Sequence, residues 1–236
     1  MSEEVPTVAL DQIIDPTWGN KVAAALQPGG IAERLFNAVF WQWRGESIDG
    51  FTTTLSGGAS AVVQNNSNGL SLTSENVANA ETMVTALLNQ STVGVLYFNK
   101  RMMFEALMQL HSTITTRNDM YCVTSYGTTI ATQTEPHFGF IVENGQVKGS
   151  CADGTTQSKT ANLQTLVAEG IYALKAIFYP GQVDFYIDGV LKGSLTTNLP
   201  LATDSVGQMM AFMTAPTVNL TRDGYLWHWK FMHSGE

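Results

Sequence analysis

The sequence predicts an all-β fold, a sandwich or barrel of about a dozen short strands. The clearest sign lies between Tyr172 and Leu195. Leu174, Ala176 and Phe178 alternate there with Lys175, Ile177 and Tyr179; Val183, Phe185 and Ile187 then alternate with Gln182, Asp184 and Tyr186. A period of two turns one set of side chains into a core and the other toward a wetter face. The breaks agree. Pro180-Gly181 and Asp188-Gly189 interrupt the run where tight antiparallel turns need left-handed residues, and Asn144-Gly145 repeats the signal upstream. Composition is the third sign. Hydrophobic residues make up 44% of the chain, enough for a sizeable core, while charged residues make up only 14%, against a usual share of about 25%. Thr, Ser, Asn, Gln and Gly must carry the polar surface, which suits extended strands or a protein packed against many neighbours.

Residues 1–10 are acidic and irregular and read as an arm. A short helix is predicted next. Asp15 is placed to cap it, Pro16 takes the first helical position where a missing N–H costs nothing, and Trp18, Val22 and Leu26 form one apolar stripe. Pro28-Gly29-Gly30 ends it. Such a helix is too short to stand alone in water, so its stripe needs a surface, on its own domain or on a neighbouring subunit. The chain divides into an N-terminal arm and helix, residues 1–33, and a β domain, residues 34–236.

From Asn37 onward the segments read as strands. NAVFWQWR places Val39, Trp41 and Trp43 on one face; FTTTLSGGASAVVQ follows, then a turn at Asn68-Gly69 and LSLTS. Residues 76–88 also carry the helix formers Ala, Met and Leu, but their β context favours a strand over Glu81–Leu88. Thr92–Phe98 is the next candidate. Phe104, Ala106, Met108 and Leu110 alternate with Met103, Glu105, Leu107 and Gln109 in a long central strand. MYCVTSYG, HFGFIVEN and QVKGSC continue the series, and DGTTQSKTANLQ reads as a polar connection. Val206–Met213 and Gly224–His233 complete it, with Tyr225, Trp227, Trp229 and Phe231 on one face of the last strand. That aromatic face and the Trp-x-Trp of the first strand point to terminal strands that are neighbours.

The totals exclude several functions. The net charge is −8 and there is no Lys/Arg cluster, which argues against nucleic acid and anionic membranes as partners. MSEEVPTVAL lacks the basic-then-apolar pattern of a signal peptide, and no apolar run reaches the roughly 18 residues of a membrane span. Cys122 and Cys151 lie in unrelated strand contexts and read as buried thiols.

The run HFGFIVENGQVKGSC…GIYALKAIFYPGQVDFYIDGVLKGSLTTNLP resembles the C-terminal half of concanavalin-A-like lectin/glucanase jelly rolls. Similar segments occur in laminin-G-like domains and in bacteriophage structural proteins. The earlier W…GF…NGLSLT…FNKRMMFEALMQL fits the same pattern, so the resemblance spans residues 36–233. It implies a two-sheet antiparallel jelly-roll sandwich. DPTWGN is similar to leader segments of bacteriophage tail and virion proteins, which marks Asp15, Pro16, Trp18, Gly19, Asn20, Val22 and Leu26 as a candidate attachment segment. Together these resemblances imply a non-enzymatic virion structural protein, a capsid decoration or a tail or tail-tip component. Such a protein is made in the host cytoplasm, incorporated into the virion, self-associates and contacts other virion proteins. The alternative is a carbohydrate-binding module or host-adhesion lectin that binds a cell-surface glycan. Asn118, Asp119, Tyr126 and Asp153 are then the candidate glycan contacts, because they are loop-type residues able to hydrogen-bond or stack.

The chemistry of the glucanases on this fold is not legible here. Their Glu-x-Asp-x-x-Glu pattern aims carboxylates from one strand into one cleft, and no Glu in this chain has an Asp two residues on. Glu105 is followed by Leu107, and Glu143 by Gly145. His111, His137, His228 and His233 form no metal-type spacing, no nucleophile elbow appears, and Gly29-Gly30 and Gly57-Gly58 lack a phosphate-loop context. No cofactor is expected, and calcium is not indicated.

Overall fold

The computed structural model describes residues 38–43, 51–56, 60–64, 69–74, 80–88, 95–110, 118–125, 134–167, 170–215 and 222–234. The N-terminal arm and the predicted helix, Asp15 to Leu26 included, lie outside these residues. The strands are β1 (Ala38–Trp43), β2 (Phe51–Ser56), β3 (Ser60–Gln64), β4 (Gly69–Ser74), β5 (Ala80–Leu87) and β6 (Leu96–Tyr97). Next come β7 (Met102–Leu110), β8 (Asn118–Thr124), β9 (His137–Glu143), β10 (Gln146–Ala152), β11 (Gln157–Lys159) and β12 (Gln164–Thr165). The last are β13 (Ile171–Tyr179), β14 (Gln182–Ile187), β15 (Val190–Leu195), β16 (Ser205–Val206), β17 (Gln208–Ala215) and β18 (Arg222–Ser234).

These strands form the expected jelly-roll sandwich. The first sheet runs β15-β14-β13-β7-β18-β4-β3, with β1 also paired to β18; the second runs β11-β10-β9-β8-β17-β5-β2, with β12 also on β10. β6 and β16 pair separately. Local chemistry sets the hairpins. Asp188 and Gly189 have φ of 51° and 78°, and Asn144 and Gly145 have 52° and 73°, the paired left-handed residues that let a two-residue turn follow the twist of its strands. The Asp188 Oδ1 also accepts a hydrogen bond from the Ala173 amide at 2.9 Å, fixing the β14–β15 turn to the start of β13. Gly181, at 99°, supplies the left-handed position after Pro180.

The core lies between the two sheets. Phe104, Ala106, Leu174, Phe178, Phe185, Trp229 and Phe231 face inward from the first; Val84, Ala86, Val123, Phe138, Phe140, Val142 and Met209 face them from the second. Rings bridge the layers: Phe140–Phe185 and Phe138–Phe178 centroids are each 5.5 Å apart, and Phe51 stacks on Trp229 at 5.9 Å. Each buried ring contributes about 1.5–3 kcal/mol from surface withdrawn from water. Gly149 makes room for one of them, since a Cβ there would come within 2.5 Å of the Phe185 ring.

Several expectations need correction. Tyr225, Trp227, Trp229 and Phe231 do not share one face. Leu226 pairs with Met108 and His228 with Leu107, so Trp227 is an extra residue in β18. Such a bulge shifts the alternation by one. Leu226, Trp229, Phe231 and His233 are therefore the buried set, while Tyr225 is only half-buried. Trp227 packs over Gly69, where a Cβ would approach its ring to 2.3 Å. FTTTLSGGASAVVQ splits into β2 and β3, which join opposite sheets. The polar connection contains β11 and β12, both paired to β10. Of Thr92–Phe98, only Leu96–Tyr97 is strand among the described residues. Val206–Met213 divides into β16 and β17, in different sheets. Residues 80–87 are strand, and β1 and β18 are neighbours, as expected.

Candidate functional site

Each sheet presents an outer face. On the first, period-two geometry brings Tyr186 of β14, Lys175 of β13, Glu105 of β7 and Lys230 of β18 into one transverse row: Lys175 pairs with both Tyr186 and Glu105, and Glu105 with Lys230. The Glu105 carboxylate accepts both ammonium groups, Oε1 at 3.3 Å from Lys175 Nζ and Oε2 at 3.4 Å from Lys230 Nζ. The three side chains are 25%, 35% and 24% exposed respectively. Lys175 also lies 5.8 Å from the Tyr186 ring centre, and Arg101 lies 5.2 Å from that of Tyr179. In the adjoining row the Asp184 carboxylate accepts hydrogen bonds from Gln182 Nε2 and Ser194 Oγ, each at 2.6 Å. Ammonium groups over aromatic rings are held in place by the ring quadrupole.

The second sheet carries a buried polar chain. His137 Nδ1 donates to the Glu135 carbonyl at 2.7 Å, Ser150 Oγ donates to His137 Nε2 at 2.8 Å, and Gln157 Nε2 donates to Ser150 Oγ at 2.9 Å. Burial favours the neutral imidazole and outweighs the carbonyl bond; the Lys159 charge adds to it, so the His137 pKa falls to about 4. Ser150 and His137 are spaced like a nucleophile and its base, but Ser150 is fully buried and the third partner is a backbone carbonyl. The chain is a satisfied structural network. It joins β9, β10 and β11.

Glu105 and Glu143, the acids weighed for catalysis, lie on different sheets. Burial raises the Glu143 pKa, but hydrogen bonds and charge from Lys159 and Lys148 outweigh it and hold the carboxyl below its usual range. Lys148 Nζ is 3.1 Å away, and Lys159 donates to the other carboxylate oxygen. That is opposite to the upward shift a general acid needs. Among the described residues, no three His, Cys, Asp or Glu side chains are grouped to hold a metal ion. Cys122 and Cys151 are unpaired and buried, on opposite faces of the second sheet. Burial pushes the Cys151 thiol up to about 12, with help from Asp153, and pushes Cys122 higher still.

Among the described residues, the candidate glycan contacts do not converge. Asn118 opens β8 opposite Glu143, near the Asn144-Gly145 turn. Asp119 is buried beside it and accepts a hydrogen bond from the Tyr121 hydroxyl at 3.3 Å. Asp153 follows β10 at the other end of the sheet, beyond Ala152 and its partner His137. A seven-residue strand separates these ends by about 20 Å. Asp153 is turned to its own loop, Oδ1 accepting from the amides of Thr155 and Thr156 and from the Thr155 hydroxyl. It also borders an open groove of about 390 Å³ lined by Phe178, Pro180, Asn198, Leu199 and Leu201. Tyr126 and the attachment segment Asp15–Leu26 lie outside the described residues. The Tyr186–Lys175–Glu105–Lys230 row was not singled out from the sequence. Its only signal there was a charged residue at an outward position in each of three strands.

No known protein family matches this sequence, and no curated protein does. Solved structures share the fold. A protein of unknown function from Shewanella oneidensis MR-1 aligns with a TM-score of 0.62 at 16% identity, over 98% of this chain and 97% of that one. The CBM2 module of an evolved Dit of Lactobacillus casei BL23 phage J-1 aligns with a TM-score of 0.61 at 11% identity, over 84% of this chain and 97% of the module. A Bacillus licheniformis β-glucanase aligns with a TM-score of 0.58 at 12% identity, over 81% and 97%. At these identities the fold is what is shared. It is the concanavalin-A-like jelly roll.

Proposed function

We propose that this protein is a non-enzymatic bacteriophage virion component, on the capsid or the tail, whose sandwich serves as a lectin-like, glycan-facing module anchored through the N-terminal segment. The observation that carries this reading is the match to the phage Dit CBM2 module, nearly the whole of which superposes on this sandwich. The resemblance of DPTWGN to virion leader segments supports the anchoring half. The treatment of the acids supports the non-enzymatic half: Glu105 and Glu143 are each engaged by two lysines and stand on separate sheets. A retaining or inverting glycosidase instead needs two carboxyl groups flanking one bond.

Two measurements test the reading. Removal of residues 1–30 is expected to abolish incorporation into particles while the β domain keeps its circular dichroism and cooperative unfolding; unchanged incorporation refutes anchoring through that segment. The purified chain is expected to give saturable binding on a glycan array and to release no reducing sugar from β-glucans. A flat array refutes the glycan-facing role, and sugar release refutes the non-enzymatic one.

A further inference from the structure

We infer that two copies of this chain associate along β2, edge to edge and antiparallel, about a two-fold axis at Thr53. β2 ends the second sheet and pairs with β5, so its other side has no partner strand among the described residues. Thr52, Thr53, Thr54 and Leu55 are all exposed. Successive residues of a strand point to opposite faces, so this edge is open on both. An open edge is a template for another strand, and proteins commonly blunt such edges with lysine, a bulge or a very short strand. The far edges of the two sheets show those devices. β15 has a break in register against β14 and carries Lys192, while β11 is three residues long and carries Lys159. β2 has none of them: its six residues run in unbroken register with β5 and include no charge, proline or glycine.

Charge and side-chain pattern both favour a second copy as the occupant. With a net charge of −8, two copies repel one another over most approaches. Residues 51–74, which supply β2, β3 and β4, contain no Asp, Glu, Lys or Arg. β3 ends the first sheet and contacts β2, so both sheet edges on this side are uncharged. Phe51, Thr53 and Leu55 stand opposite Ala86, Val84 and Thr82, on the side of β5 that faces the core. Leu55 is nevertheless 47% exposed. An axis at Thr53 sets Phe51 opposite Leu55 of the second copy, Thr52 opposite Thr54, and Thr53 opposite itself. Core-side residues then meet core-side residues, which a slip of one position would prevent, and each Leu55 gains a phenylalanine neighbour. The contact is self-complementary, as a two-fold interface must be. A ladder of about 20 Å is small, so the dimer is expected to form reversibly with concentration.

Analytical ultracentrifugation of the full chain across the micromolar range tests the inference, and a monomer–dimer equilibrium is expected. Thr53→Lys sets two ammonium groups against each other at the axis and is expected to raise the dissociation constant at least tenfold. Thr54→Lys repeats the test from the other face of the strand. Val190→Lys, on the β15 edge, is expected to change nothing. All three sites are exposed, so thermal unfolding is expected to stay little changed. Oxidation of Thr53→Cys is expected to give a covalent dimer, because directly opposed residues have Cα atoms about 4.5–5.5 Å apart, within reach of a disulfide. The two copies of Thr54→Cys would lie about 8 Å apart and are expected not to bridge. Cys122 and Cys151 are buried and do not compete. A monomer at every concentration, a dimer unmoved by both β2 lysine variants, or one weakened equally by Val190→Lys overturns the interface. Bridging through Thr54→Cys in preference to Thr53→Cys overturns the axis.

Discussion

Acidification is expected to weaken the fold through His137, in a window set by its buried network. The native histidine holds its proton poorly, with a pKa near 4 against 6.5 for a free imidazole. The unfolded chain therefore takes up a proton first as pH falls, and stability present above pH 6.5 is lost progressively down to about pH 4. At 1.36 kcal/mol per unit the full loss is about 3 kcal/mol, most of it already gone by pH 4.5. That is a large part of the roughly 5–15 kcal/mol that holds a domain together. A charged imidazole would also have to donate to Ser150, whose oxygen already receives Gln157 and whose own proton would lose its acceptor. Urea unfolding of the wild type and His137→Gln at pH 7.5, 6.0, 5.0 and 4.5 measures this. The variant is expected to start less stable, because the network is broken, but to show a curve flatter by about 2–3 kcal/mol across the range. Parallel pH profiles for the two proteins, or a flat wild-type profile, would refute the reasoning.

Other substitutions probe the packing. Gly149→Ala drives a methyl group into the Phe185 ring and is expected to cost about 1–3 kcal/mol in denaturant unfolding. Phe178→Ala empties the contact with Phe98 and Phe138 and is expected to cost about 3–5 kcal/mol. Asp188→Ala combines an unfavourable left-handed alanine with loss of the Ala173 contact; a loss of about 2 kcal/mol is expected, largely restored by Asp188→Asn. Native protein is expected to react with neither thiol reagent equivalent at neutral pH, since Cys122 and Cys151 are buried and protonated. Both should react in denaturant, and rapid labelling of either in the native state would contradict the burial.

The strand pattern was legible wherever side-chain alternation and turn chemistry coincided. Residues 171–195 show this best, because Asp188-Gly189 and Pro180-Gly181 leave the backbone few alternatives. The β18 bulge was hidden because an inserted residue leaves no compositional mark: Tyr-Leu-Trp-His-Trp alternates equally well in either phase. β11 and β12 were missed because strands of two or three polar residues have no periodicity to detect. The ion-paired row was out of reach for another reason. Glu105 meets Lys175 and Lys230 only through registers between strands far apart in the chain, and register is a property of the assembled sheet. The same holds for His137 and Gln157, which share Ser150.

The order of the first sheet also dictates an order of events. Its middle strand, β7, has β13 on one side and β18 on the other, and β18 additionally pairs with β1 and β4. Strands β1, β4 and β7 therefore emerge with this partner still missing. Such distant pairings make folding slow, and until the last strand arrives β4 and β7 each present a bare, hydrogen-bond-hungry edge. Unfinished chains of this kind are prone to associate with one another. Loss of Arg222–Ser234 would sever three pairings at once, so truncation should abolish the fold outright instead of trimming it.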